Sequence, residues 1–307
     1  MLTEIDAFIE YLDVQKNYSP QTTDAYYNDL SDLVDFFSAK IDNPEDYILT
    51  FESNEDVDVS LVNLEDLKEF AGYLFDKNLD IATIQRKLSS IRSFFRFLYN
   101  RSYVRHNPAL LLTNPKSKKR VPKFIHLDQV NRLVDFKLDN FIDYRDRALI
   151  EVFFSTGCRT SELRNASLKN VDLKKGTIKV LGKGDYERIV YLGSHAIKFL
   201  NKYLKFRKMK FNELKGAIFV NSNGKKLTRK GIYFIIKKRA KNAGFFDFIS
   251  PHTLRHSFAT EMLDRGADIK SVQDLLGHKN ISTTQIYTHT SKEKLKNIYE
   301  MSHPHAK

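Results

Sequence analysis

The sequence predicts a mainly α chain in two domains: an all-helical N-terminal domain, then a mostly α domain interrupted by a small antiparallel sheet. Three observations carry this. Apolar residues recur at three- and four-residue spacing over most of the chain. The stretch Asn114 to Pro122 holds two prolines and four basic residues, has no apolar period, and divides the chain as a linker. Between Thr177 and Tyr191 the period drops to two on either side of Gly182-Lys-Gly-Asp185, a hairpin signature. A length of 307 residues gives each part enough chain for its own core. The expected boundaries are 1–113, a linker over 114–122, and 123–307.

In the first domain, Ile5, Phe8, Ile9 and Leu12 have helical spacing. Ser19-Pro20 pairs an N-cap with a proline at the first helical position and opens a helix through Tyr26, Leu30, Leu33 and Phe37. Asp42 to Ser60 is acidic and aperiodic, which reads as an exposed loop or, less simply, a partner-binding insertion. Asn63 suits a cap for the helix Leu64 to Phe75, and Asp80 for the helix that follows.

In the second domain, helices are expected over Asp128 to Phe136, Tyr144 to Ser155 and Ser161 to Leu168, the last two separated by Thr156-Gly157-Cys158-Arg159. Strands Thr177 to Val180 and Arg188 to Tyr191 flank the hairpin turn. Ser194 suits a cap for the helix Ala196 to Phe206. Ala217 to Val220 reads as one more strand, with Asn223-Gly224 as a turn. A helix follows the cluster Lys225, Lys226, Arg229 and Lys230. Pro251 starts a helix with Leu254, Phe258 and Met262 as its buried stripe. Asp268 caps a helix Ile269 to Leu276 that Gly277 ends. Ser291 to Tyr299 is the last helix, and His303 to Lys307 a tail.

Composition narrows the function classes. No apolar run reaches membrane-spanning length, and the first residues lack a basic segment followed by an apolar run, so a cytoplasmic, non-membrane protein is expected. The single cysteine, Cys158, excludes an internal disulfide and fits a reducing compartment. Charge is unevenly spread. Residues 1–113 carry 10 Lys+Arg against 20 Asp+Glu, whereas the remainder carries 40 against 18. A strongly basic C-terminal two-thirds suits either a polyanion partner or a solvated lysine-rich surface. Within the acidic part, Ile81 to Thr113 has no acidic residue and contains Arg86, Lys87, Arg92 and Arg96. As a helix it places Arg92 and Arg96 opposite Leu88, Ile91, Phe95 and Leu98, a basic amphipathic helix able to lie on a phosphate backbone. Lys118, Lys119 and Arg120 in the linker either track the same backbone or belong to a plain tether.

The chemistry concentrates between His252 and His289, which holds His252, Arg255, His278 and Tyr287. Positive donors around one point cradle a phosphate. A tyrosine beside such a cradle can attack phosphorus and hold it covalently. No acidic cluster suited to a metal accompanies the group, so phosphoryl transfer by positioning and charge, without metal or cofactor, is the expectation. Taken alone, Arg159 reads as a surface arginine paired with Glu162, and Lys183 as a solvated turn lysine. Each of His252, His278 and Tyr287 taken alone fits a core or capping role.

Their joint occurrence changes this. Arg159, Lys183, His252, Arg255, His278 and Tyr287 fall in this order within T-G-C-R-T-S-E-L, G-K-G-D-Y-E-R, H-T-L-R-H-S-F-A-T and L-L-G-H-K-N-I-S-T-T-Q-I-Y-T-H. These motifs resemble the tyrosine recombinase (phage integrase) family, nearest to the bacterial Xer site-specific recombinases. The likeness covers nearly the whole chain, because A-T-I-Q-R-K-L-S-S-I-R-S-F-F-R-F-L resembles the Xer core-binding domain. Cys158, Tyr191 and Glu261 depart from the family, where Leu, Pro and His are usual, and the Asp42 to Ser60 loop is longer than in Xer proteins.

The resemblance implies a helical, SAM-like core-binding domain and a catalytic domain that clamp duplex DNA. It implies that Tyr287 is the nucleophile and forms a 3′-phosphotyrosyl link, with Arg159 and Arg255 on the non-bridging oxygens. Lys183 would protonate the leaving 5′-oxygen. His252 would accept the tyrosine proton or contact the phosphate, and His278 would donate to the phosphate. DNA contacts fall to Arg86, Lys87, Arg92, Arg96, Lys118, Lys119, Arg120, Lys225, Lys226, Arg229 and Lys230. The implied partners are a recombination site, three further copies of the chain in a tetramer on two sites, a second Xer-type recombinase and a DNA translocase. The implied role is resolution of chromosome or plasmid dimers at cell division; integration of a phage or mobile element is the alternative.

Overall fold

The computed structural model describes residues 1–41, 57–116, 124–182, 186–245, 249–277 and 289–306. The chain divides into two compact units, Met1–Arg120 and Val121–Lys307. The first is helical throughout its described residues: α1 (Leu2–Glu10, continued by a short π turn), α2 (Pro20–Ile41), α3 (Leu64–Asp76) and α4 (Ile81–Asn100). Asn63 caps α3 in a capping box with Asp66, as its sequence position suggests. Asp80 precedes α4, but its side chain accepts no capping bond. The buried Leu88, Ile91, Phe95 and Leu98 of α4 pack with Phe8, Leu30, Leu33 and Phe70 in one core, while Arg96 of the same helix is exposed.

The second unit contains α5 (Leu127–Val134), α6 (Phe141–Thr156), α7 (Thr160–Asn165), α8 (Ser194–Phe211), α9 (Arg229–Asn242), α10 (Pro251–Asp264), α11 (Ile269–Leu276) and α12 (His289–Ser302). Between α7 and α8 lie strands β1 (Val171–Asp172), β2 (Thr177–Leu181) and β3 (Glu187–Tyr191), antiparallel in the order β1-β2-β3. The β2–β3 register pairs Thr177 with Tyr191 and Leu181 with Glu187. Helix α6 is buried along nearly its whole length and serves as the axis of the unit, with α8 and α10 packed against it.

Two expectations require correction. Ala217 to Val220 is not a strand; it makes only isolated bridges, Ser167 with Ala217 and Val220 with Lys226. The reason is a side chain: the buried Arg207 donates to the carbonyls of Lys215, Ala217 and Ile218 at 2.6–2.9 Å, which satisfies acceptors that a ladder would otherwise use. Ser194 is the first residue of α8, not its cap. Gly193 takes that position, and no bulkier residue fits there, since an added Cβ would stand 2.0 Å from the carbonyl oxygen of His305.

Candidate active site

The site begins with helix starts that the sequence encodes. Ser250 caps α10 by accepting from the Thr253 N–H at 3.2 Å, and Pro251 occupies the first turn. Leu254, Phe258 and Met262 form the buried stripe, and Arg255 is turned inward beside them, 8 % exposed. His252, one turn earlier on the same helix, is exposed. Asp268 caps α11 through Ser271, and Gly277 ends that helix with φ +67°.

The end of α11 organises the cations. The last carbonyls of a helix lack intrahelical donors and carry the negative end of its dipole. Here three guanidiniums take them in turn. Arg188 Nη1 donates to Leu275 O, Arg255 Nη2 to Leu276 O at 2.8 Å, and Arg159 Nη2 to Gly277 O at 3.1 Å. Arg255 Nη1 also donates to Gly157 O at 2.6 Å. Gly157 closes α6 at φ +55°, and an added Cβ would stand 2.5 Å from Phe258 Cδ1, so glycine alone brings that carbonyl to the arginine.

A single buried carboxylate binds the group together. Glu162 Oε1 accepts from Arg159 Nη1 at 2.9 Å, while Oε2 accepts from the Arg159 backbone N–H at 2.7 Å and from Arg188 Nη2 at 2.8 Å. Burial alone would raise its pKa. The charge and hydrogen bond of Arg188, followed by the bonds from Arg159, outweigh burial and hold it below the ordinary value. Arg255 is pushed the other way, down to about 10, first by burial and then by the positive charges of Arg159 and Arg188. Three guanidiniums around one carboxylate, two of them buried and Arg159 partly exposed, leave an excess of positive charge. Arg159 and Arg255 each use two of their five N–H donors on the partners above, which leaves donors for an anion.

Of the six expected catalytic residues, the structure brings Arg159 and Arg255 together and sets His252 on the helix of Arg255. Lys183, His278 and Tyr287 lie outside the described residues, as do Lys118, Lys119 and Arg120. The residues that precede His278 and Lys183 lie at the cluster: Gly277 accepts from Arg159, and a Cβ on Gly182 would stand 3.5 Å from Glu162 Oε1.

Arg188 belongs to the cluster, although sequence reasoning assigned it no role. Its signal was parity: on β3 it alternates inward in phase with Val190, while Ile189 faces out. A charged residue on the buried phase of a strand calls for a partner, and Glu162 is that partner.

The three departures from the family pattern sit around this site without replacing any part of it. Cys158 is buried, and burial pushes its thiol up to about 11, so it packs as a protonated core residue. Tyr191 packs against Tyr299 with tilted rings, their centroids 5.6 Å apart. Glu261 accepts from the Leu127 N–H at 3.0 Å and so anchors the start of α5.

The expected DNA-contact residues divide. Lys87 is corrected: it is 7 % exposed and paired with Asp29 and Asp32, so its charge is neutralised inside the first unit. Arg86 is half exposed and also paired with Asp29. Arg92 donates to Leu112 O and Asn114 Oδ1, both at 2.9 Å, and fastens the chain leading to the linker. Arg96 is exposed. Lys225, Lys226, Arg229 and Lys230 are all exposed at the start of α9, and Lys226 donates to Asn165 at 2.8 Å. Cations at a helix N-terminus oppose the dipole, an arrangement that an external anion relieves.

Among the described residues, the group with metal-ligand spacing is Glu151, His195 and His305, which contains no member of the arginine cluster. No described helix is long and apolar enough to cross a membrane.

The phage integrase family model matches residues 123–294, and the phage integrase N-terminal SAM-like domain matches residues 5–102. The chain is 40% identical to the tyrosine recombinase XerC of Leptospira interrogans over 304 residues, covering 98% of this chain and 93% of that one. It is 36% identical to the tyrosine recombinase XerD of Oceanobacillus iheyensis over 305 residues, covering 98% of both. Among solved structures, the XerH site-specific recombinase bound to its difH substrate before cleavage shares the fold, with a TM-score of 0.65, 22% identity, and coverage of 97% of this chain and 83% of that one.

Proposed function

The chain belongs to the phage integrase family, as a Xer-type site-specific tyrosine recombinase, and we propose that Tyr287 is its nucleophile within a phosphate cradle built on Arg159 and Arg255. The observation that carries this reading is the excess of guanidinium charge at the end of α11, where Arg188 and Arg255 are buried and Arg159 is partly exposed. Two of those arginines bond the carbonyls of Leu276 and Gly277, immediately before the segment that contains His278 and Tyr287.

In the proposed reaction the Tyr287 oxygen attacks a backbone phosphorus of duplex DNA. Its proton passes to His252 or to solvent, a 3′-phosphotyrosyl bond forms, and the 5′-oxygen leaves with a proton from Lys183. Arg159, Arg255 and His278 donate to the non-bridging oxygens, where charge develops in the transition state. The phosphotyrosyl bond conserves the energy of the broken phosphodiester. A 5′-hydroxyl from a second strand then reverses the step and completes the exchange without nucleotide hydrolysis. Four protomers on two sites supply the strands. Resolution of chromosome or plasmid dimers in the cytoplasm is the role we assign, with a second Xer-type recombinase and a DNA translocase as further partners. XerH, which shares the fold, was captured on its own DNA site, and this supports a DNA duplex as the ligand here.

Strand exchange separates this role from plain relaxation. A supercoiled plasmid carrying two directly repeated sites from the host chromosome's dimer-resolution region is expected to yield two smaller circles. Relaxed plasmid of unchanged length would count for a topoisomerase instead.

The basic start of α9 supports a second expectation. Replacing Lys225, Lys226, Arg229 and Lys230 with Gln should weaken binding to all duplexes alike. The slope of log K against log salt should become shallower by about 0.9 for every phosphate these side chains neutralise. An unchanged slope would remove this patch from the DNA surface.

A further inference from the structure

The C-terminal tail does not trail into solvent. His303 and His305 are 4 % and 6 % exposed. The His305 N–H donates to His303 Nδ1 at 3.1 Å, so His303 carries its ring proton on Nε2 and donates it to Phe154 O at 3.2 Å. Both nitrogens of the His303 imidazole are thus occupied. The carbonyl of His305 accepts from the Ser194 N–H at 2.8 Å, over the gap that Gly193 leaves. These contacts fix the backbone of the tail and aim the His305 ring at the middle of α6.

There it meets Glu151, a fully buried carboxylate. Arg147 Nε donates to Glu151 Oε1 at 3.0 Å and holds the carboxylate in place. Glu151 Oε2 and His305 Nδ1 face each other at 3.3 Å, both buried and both without a hydrogen-bond partner. Such a pair of buried polar atoms is satisfied by a shared proton or by a cation that both can ligate. His195, half exposed on the first turn of α8, brings a third donor: its Nδ1 is 4.0 Å from Glu151 Oε1, and its ring centroid is 4.1 Å from that of His305. One ligand atom from each of the three residues lies within 4.8 Å of the others.

We propose that Glu151, His195 and His305 bind a divalent transition-metal ion of the zinc class, which fastens the C-terminal tail to the body of the second unit. Two imidazoles and a carboxylate are a ligand set that zinc accepts, with water in a fourth position. Zinc bonds of about 2.0–2.1 Å at a tetrahedral angle set ligand atoms roughly 3.4 Å apart, close to the separation of Glu151 and His305. His195 is exposed and closes the remaining gap by a side-chain rotation. A proton on His305 would satisfy the buried pair, but it gives no reason for the third donor to converge. Arg147 orients the carboxylate in the manner of an outer-shell partner. The ion is structural and takes no part in strand cleavage.

The test is titration of the full chain with zinc by calorimetry, with cobalt as a spectroscopic substitute. One ion per chain is expected, with the intense visible absorption of four-coordinate cobalt. His195→Ala and His305→Ala should each weaken binding by at least about tenfold. His256→Ala, which changes an exposed histidine outside the group, should not. The His305→Ala chain keeps the backbone carbonyl that Ser194 uses, and His195 is at the surface, so both variants are expected to fold. Zinc should also slow amide exchange at Ser194, whose N–H donates to the tail. Absence of binding, binding that survives both histidine variants together, or an exchange rate at Ser194 unmoved by zinc would overturn the proposal.

Discussion

Arg255→Ala is expected to form the covalent protein–DNA adduct about 100- to 1,000-fold more slowly than the natural chain, as for loss of one preorganised oxyanion donor. The guanidinium reaches two backbone carbonyls, Gly157 O and Leu276 O, and retains further donors. Arg255→Lys should recover little of the rate, because one ammonium on a flexible stem cannot hold both carbonyls and a phosphate at once. The check is the rate of adduct formation on a nicked duplex at saturating protein. Melting of the variant separates chemistry from folding. Arg255 is itself crowded by Arg159 and Arg188, so its removal leaves two carbonyls unpaired but also relieves like-charge repulsion. The loss of rate should therefore exceed any loss of stability.

Glu162→Ala should show the opposite balance. Glu162 is 1 % exposed and is the carboxylate that binds Arg159, Arg188 and the start of α7. Removing one partner of a buried ion pair costs about 3–5 kcal/mol, because the remaining charges stay buried without compensation. A large drop in denaturant midpoint is expected, with unfolding of the second unit ahead of the first. The pH dependence has a definite sign. The folded-state pKa of Glu162 lies below its ordinary value of 4.5, so its stabilisation is complete above about pH 4.5 and is lost as pH falls through the folded value. Glu162→Gln should be less stable at neutral pH and show a shallower acid limb than the natural chain. Equal acid limbs in the two proteins would contradict the assigned role.

The parts of the fold that local signals encode were legible in the sequence. Asn63 before α3, Asp268 and Gly277 around α11, and Pro251 at the start of α10 act within one or two turns of themselves, and the structure uses each as expected. The parts that failed depend on distant partners. No local pattern indicates that Arg207 would take the carbonyls that make Ala217 to Val220 look like a strand. Nor does any indicate that the carbonyl of His305 would require glycine at position 193. Lys87 read as a surface cation because its own helix contains no acid; Asp29 and Asp32, which bury its charge, lie on α2. In the site, the arginines were legible as motif residues. What holds them was not, because the carbonyls of Leu275, Leu276 and Gly277 and the carboxylate of Glu162 are brought to them only by the tertiary fold.

Tyr287 as nucleophile is the step on which strand exchange depends. A duplex nicked close to the cleavage point lets the short 5′-hydroxyl fragment diffuse away, so that the covalent intermediate accumulates. Run on denaturing gels, the natural chain is expected to give a protein–DNA adduct on the strand that retains the 3′-phosphate, and Tyr287→Phe, with DNA binding intact, to give none. An adduct of equal yield in Tyr287→Phe would contradict that role.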